Sequence, residues 1–139
     1  MKSQLLPEGF RDGLPDLAEL EFQINSFFVN LMISNGFLMV KPPLVEFEDS
    51  LFFLTKYSEN IDSFRVMDPL TQKTMGIRTD ITMQVARIAC GSLVEDKRPL
   101  RLCYTGDVLK VKNNNINLSR QFTQIGAEII AVSYTHLTL

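Results

Sequence analysis

Apolar positions first recur at helical spacing over residues 16–35. Leu17, Leu20, Ile24, Phe27, Phe28, Leu31 and Met32 fall on one stripe of period 3.6. Asp16 is placed to cap this helix and Asn35-Gly36 to stop it. Residues 5–15 before it form an irregular lead-in, punctuated by Pro7, Gly9, Gly13 and Pro15. Residues 37–40 read as a short buried strand, Lys41-Pro42-Pro43 bars regular pairing, and residues 44–47 resume extended structure. Residues 49–57 read as a short helix or a packed loop. Residues 64–68 and 75–79 alternate around 69–73 and predict a β-hairpin. The period then changes within one stretch: Met75, Ile77 and Thr79 share a strand face. From Thr82 onward Val85, Ile88 and Ala89 recur at helical spacing, to about Leu93. Residues 101–105 and 108–112 predict two strands separated by Gly106-Asp107. A polar turn follows at 113–117 and a last strand at 121–132.

Two places in this pattern carry candidate chemistry. At the strand-to-helix junction Arg78, Asp80 and Thr82 gather where early helical N–H groups lack partners. Either Asp80 or Thr82 can cap the helix. A carboxylate there suits an ammonium ligand, and Arg78 suits a carboxylate or phosphate. The alternative is a plain cap beside a surface charge. In the last strand Phe122, Gln124, Gly126 and Glu128 line one face, opposite Thr123, Ile125, Ala127 and Ile129. Polar or small residues beside Phe122 describe either a strand that floors a pocket or one that meets bulk water. Gly126 favours the pocket, because it admits close approach by a ligand.

Composition narrows the class. The chain has 139 residues, 45% hydrophobic and 22% charged, as expected of a globular domain or part of one with a real core. No apolar run approaches the length of a membrane span, and the start has no signal-peptide core, so the expected compartment is the cytoplasm. Cys90 and Cys103 sit in apolar surroundings and are expected to be reduced core residues. With His136 as the lone histidine, they cannot build a Cys/His zinc site or a Cys-His nucleophile pair of ordinary spacing. No metal site is expected. The net charge of −2 is uneven: residues 97–120 hold Lys97, Arg98, Arg101, Lys110, Lys112 and Arg120 against Asp107 alone. Such a basic block suggests an anionic ligand or partner on that face, against the alternative of solvated cations. Val108, Lys110 and Lys112 are expected to share one strand face.

Taken together, the motifs resemble a known superfamily. Leu6-Pro7-Glu8-Gly9-Phe10-Arg11-Asp12, then Gly36-Phe37 and Pro42-Pro43-Leu44-Val45-Glu46, resemble the opening and motif 1 of class II histidyl-tRNA synthetases and their paralogues. Residues 75–89, with Arg101-Leu102-Cys103-Tyr104-Thr105-Gly106 and Ser119-Arg120-Gln121-Phe122-Thr123-Gln124-Ile125-Gly126-Ala127-Glu128, resemble motif 2 and its surroundings. Within the superfamily the synthetases carry Arg-Pro-Glu-Gly-Thr where this chain has Arg78-Thr79-Asp80-Ile81-Thr82. They also place a phosphate-gripping Arg and a Glu where it has Lys110 and Lys112. Residues 76–88 and Arg101-Leu102-Cys103-Tyr104 instead resemble the regulatory subunit of ATP phosphoribosyltransferase. A lysine is a point charge and does not replace a bidentate arginine on a phosphate without loss.

The resemblance implies an α+β fold of the class II aminoacyl-tRNA synthetase type, an antiparallel sheet flanked by helices, of which residues 1–132 supply the N-terminal part. Residues 133–139 are set apart as a tail unlike the family, as a truncated or mis-joined reading frame would give. It implies a non-catalytic regulatory subunit that works with a short-form catalytic subunit in the first step of histidine biosynthesis and takes histidine as effector. Self-association runs through motif 1, with neither membrane nor tRNA as partner and no cofactor. By the same carry-over Asp80, Thr82, Gln124 and Glu128 bind histidine. Arg78 braces Asp80, and Arg78, Lys110, Lys112 and Arg120 are the candidates for anion or partner contacts. The rival reading is a histidine–tRNA ligase using ATP and Mg²⁺.

Overall fold

The structure, a computed structural model, describes residues 5–51, 62–112 and 119–131. The polar turn at 113–117, residues 52–57 and the tail at 133–139 lie outside them.

Helix α1 (Pro15–Ser34) begins on proline, whose ring presets the helical φ and whose missing N–H has no partner to lose. Leu14, not Asp16, stands at the cap position, and Asp16 lies in the first turn, where its charge suits the helix dipole. The other end is a Schellman stop: Phe37 N–H donates to Met32 O at 3.1 Å and Gly36 N–H to Ile33 O at 3.0 Å, with Gly36 at φ +84.

β1 (Leu38–Met39) pairs in parallel with β5 (Leu100–Leu109), which pairs antiparallel with β6 (Gln121–Ile130). A second sheet is antiparallel throughout, β2 (Val45–Phe47) and β3 (Arg65–Met67) flanking β4 (Thr74–Ile77). The short helix α2 (Glu48–Leu51) follows β2, and α3 (Thr82–Cys90) follows β4. The fold is thus α+β with two sheets, and one of its strand pairs is parallel. Three expectations need correction here. The strand at 37–40 lies on the sheet edge and is exposed, Leu38 by 65%. Residues 101–105 and 108–112 are not two strands: β5 runs unbroken through Gly106-Asp107, because β6 pairs with it at all ten positions. The helix predicted to reach about Leu93 stops at Cys90, with Gly91 at its C-cap.

Alternation along β5 separates two faces. Leu102, Tyr104 and Val108 point to α3 and close a core with Ile81, Val85, Ala89 and Leu100, joined by Val40, Leu93, Phe122 and Ile130. Each such aliphatic side chain contributes about 1.5–3 kcal/mol on full burial. Thr105, on the other face, reaches α1 and bonds Asn25. Cys103 is buried as expected and burial raises its thiol pKa, whereas Cys90, at the end of α3, is exposed and not a core residue.

Candidate functional site

The two sheets meet at Arg78, one residue past β4. Its N–H donates to Leu44 O beside β2, and its carbonyl accepts from Leu109 N–H at the end of β5. The side chain is 6% exposed and spends its donors on the chain itself. Nε donates to Asp107 O at 2.7 Å and Nη1 to Pro42 O at 3.0 Å, with longer contacts to Pro43 O and Gln84 Oε1. The proline pair that interrupts β-pairing thus supplies carbonyl acceptors, and Gln84 Nε2 uses Pro43 O as well, at 2.7 Å. Burial lowers the Arg78 pKa, and Asp107 and Glu46 partly restore it. The expected brace between Arg78 and Asp80 is not made: this guanidinium is turned inward, onto carbonyls.

Asp80 follows on an exposed bend and bonds what comes next. Its Oδ1 accepts from Thr82 N–H at 2.8 Å and from Gln124 Nε2 at 3.0 Å. The formal cap position of α3 is Ile81, which has no side-chain cap. Asp80 therefore serves the first free helical N–H from one residue outside. The Gln124 amide works from both ends, its Oε1 accepting from Ile81 N–H at 2.9 Å. Burial alone raises the Asp80 pKa. The bonds from Thr82 N–H, Gln124 and the Thr82 hydroxyl, with the field of Lys110, outweigh it and hold the carboxyl below its ordinary value.

A second run of bonds begins at Thr82. Its Oγ1 lies 3.2 Å from the Tyr104 hydroxyl, which donates to Glu128 Oε1 at 3.3 Å. Asp80, Thr82, Gln124 and Glu128 are therefore brought together, from the start of α3 and one face of β6, in a single hydrogen-bonded chain. Tyr104 is the member that sequence reasoning missed. It stands directly across from Gly126 in the β5–β6 register. A Cβ on Gly126 would lie 2.4–2.8 Å from Tyr104 ring atoms and hydroxyl. The close approach expected at Gly126 is thus made by Tyr104, not left open to a ligand. Spacing alone could not find it, since pairing Tyr104 with Gly126 needs the register between strands.

The cations of residues 97–120 do not form one face. Arg98 donates to Ala89 O at 2.9 Å, and Arg101 stacks on Phe37. Arg120 lies between the rings of Phe10 and Phe64 and donates to Glu8 O at 2.9 Å, clasping the lead-in to the start of β6. Lys110 extends over the Phe122 ring, 5.8 Å from its centroid. Lys112 is exposed, but it lies beyond the end of β5, so strand alternation does not place it beside Lys110. Among the described residues no group of three or more His, Cys, Asp or Glu is placed to hold a metal ion, and no helix is long and apolar enough to cross a membrane.

A long helix on one face of the β5–β6 pair, a shorter helix on the other and a polar chain at its start define a domain of the class II synthetase type. Comparison with known proteins gives the family. A family model described as histidyl-tRNA synthetase matches residues 9–137, and the chain belongs to that family. It is similar to the ATP phosphoribosyltransferase regulatory subunits of Rhodospirillum rubrum and Paramagnetospirillum magneticum. Each is 48% identical over 126 residues, covering 91% of this chain and 33% of the relative. The chain thus spans about a third of the length of these curated relatives. Among solved structures it is similar to an ATP phosphoribosyltransferase regulatory subunit/histidyl-tRNA synthetase from Bacillus halodurans. There the identity is 25% and the TM-score 0.76, over 93% of this chain and 33% of that one. The apo histidyl-tRNA synthetase of S. aureus, at 22% identity and TM-score 0.68 over 88% of this chain and 28% of that one, shares the fold.

Proposed function

We propose that this chain belongs to a regulatory, non-catalytic subunit of ATP phosphoribosyltransferase, which binds histidine and passes its feedback to a short-form catalytic subunit. The observation that carries the reading is 48% identity, over nearly all of this chain, to proteins named ATP phosphoribosyltransferase regulatory subunit. Geometry supports the effector. Glu128 takes its bond from Tyr104 on Oε1 and has a second oxygen for a cation, and Asp80, which takes Thr82 N–H and Gln124 together on Oδ1, presents its carboxylate on the exposed approach to α3. A histidine brings two cationic or donor groups, its ammonium and its imidazole, and two carboxylates on one polar chain suit them. The exposed Lys110, whose field already acts on Asp80, suits the ligand's carboxylate. The subunit associates with a second copy through α1 and β1 and works in the cytoplasm.

The rival, a histidine–tRNA ligase, needs a tight grip on ATP phosphates. Lys110 and Lys112 supply point charges there, and Arg78 and Arg120 are already engaged within the chain. The reading therefore requires neither ATP nor Mg²⁺ at this site. The test is to mix the full-length protein with a short-form catalytic subunit and follow phosphoribosyl-ATP formation. Activity that depends on this protein and falls on adding histidine is expected. Histidine-dependent ATP–pyrophosphate exchange by the protein alone would instead establish the ligase.

A further inference from the structure

We infer that Tyr104 is a positioning residue of the histidine site, with Gly126 as its socket; the inference rests on the histidine reading above. Tyr104 is 3% exposed, and a buried phenol needs partners for its hydroxyl. It finds them on two different elements: Thr82, at the start of α3, and Glu128, on β6. Thr82 is held on its other side by Asp80, which takes both its N–H and its hydroxyl, whereas Glu128 has several side-chain torsions to settle. One rigid ring, held by the core on one side, ties Glu128 to that fixed start of α3. Its seat depends on Gly126, since any larger residue there would drive a Cβ into the ring. The register Tyr104↔Gly126 places this socket between Gln124 and Glu128, so the ring lies between the two bonded runs of the site.

This role differs from that of an ordinary core aromatic. Packing needs the ring alone, whereas positioning needs the hydroxyl. Tyr104→Phe keeps the ring on Gly126 and removes only the bonds to Thr82 and Glu128. A bond to a carboxylate is among the stronger ones, so its loss should weaken histidine binding about tenfold. The unliganded melting temperature should move little.

The experiment is calorimetric titration of the full-length protein and of Tyr104→Phe with histidine, alongside fluorine NMR of the full-length protein with 3-fluorotyrosine placed at position 104 alone. The single label reports Tyr104 whatever other aromatic residues the full-length protein carries. A ring whose hydroxyl touches the site should shift its resonance when histidine binds, and a ring that only packs should not. Binding about tenfold weaker in Tyr104→Phe, with a histidine-dependent Tyr104 resonance, supports the inference. Unchanged affinity in Tyr104→Phe, or a Tyr104 resonance indifferent to histidine, overturns it while leaving the histidine reading intact. Failure of the unsubstituted protein to bind histidine overturns both, and appears before any variant is made. Should Tyr104→Phe not fold, the resonance decides alone, because it is read on a protein that retains the Tyr104 hydroxyl.

Discussion

Arg78 is the residue on which both sheets depend, and its chemistry is that of a planar donor. Nε and Nη1 point to carbonyls on two different segments, Asp107 and Pro42. A lysine brings a single ammonium and cannot make both bonds at those angles, so one buried carbonyl is left unpaired. Arg78→Lys should therefore cost about 1–3 kcal/mol in urea unfolding. Arg101→Lys, on an exposed arginine stacked on Phe37, should change stability by less than about 0.5 kcal/mol. Asp80 gives a second residue-scale outcome. Its carboxyl is held below its ordinary value of 3.8, so its bonds stabilise the fold above that value and are lost as pH falls through it toward the lower, folded-state pKa. In acid titrations of stability, Asp80→Asn should lose less than the unsubstituted chain below about pH 4. An equal loss in the two would show that Asp80 is no better bonded folded than unfolded. How much of the site was legible also divides at this scale. Asp80, Gln124 and Glu128 could be singled out because polar residues on a strand face and at a helix start are visible in a sequence. The inward turn of Arg78 was not, because its partners are backbone carbonyls, which every residue has.

Elements were legible where a local signal set them and misread where a long-range pairing did. The end of α1 shows the local case. Asn35-Gly36 announced the stop, and the Schellman bonds at Gly36 and Phe37 carry it out. Nothing lies within 4 Å of where a Cβ on Gly36 would stand, so Gly36→Ala tests the backbone alone. At φ +84 an L-residue pays the left-handed penalty, and unfolding measurements should register a loss of about 1–2 kcal/mol. Gly36→Asn should lose less, since asparagine tolerates that conformation. β5 shows the opposite case. Gly106-Asp107 looks like a break because both residues disfavour strands. Gly106 stays extended because β6 pairs there, Gly106 facing Gln124, and it must be glycine because the Arg78 guanidinium packs where a Cβ would stand. Neither influence is local, so no window of sequence around residue 106 contains it.

At the scale of the whole molecule the unsolved surface is α1. Its apolar stripe predicted a helix correctly, but a stripe says only that a face seeks cover, not what covers it. None of the helix's twenty residues is buried. Leu20, Phe27 and Leu31, at helical spacing on one side, are 51, 63 and 48% exposed, and Leu38 of β1 is 65% exposed. The opposite side of α1 already meets β5, where Thr105 bonds Asn25, so the bare stripe faces away from its own sheet. Contiguous large apolar side chains of this kind mark an interface. If a second copy covers them, as the regulatory reading requires, Phe27→Glu with Leu31→Glu must put two unpaired carboxylates into that contact. The loss far exceeds what a surface charge costs, because each is desolvated without a partner. Sedimentation of the full-length protein should then fall from the mass of two copies to that of one, with far-ultraviolet dichroism unchanged. The same charges on a face covered by the remaining two thirds of the relatives' length would unfold the protein instead and leave no folded single copy. Mass and dichroism read together therefore assign the face to a second copy or to the same chain.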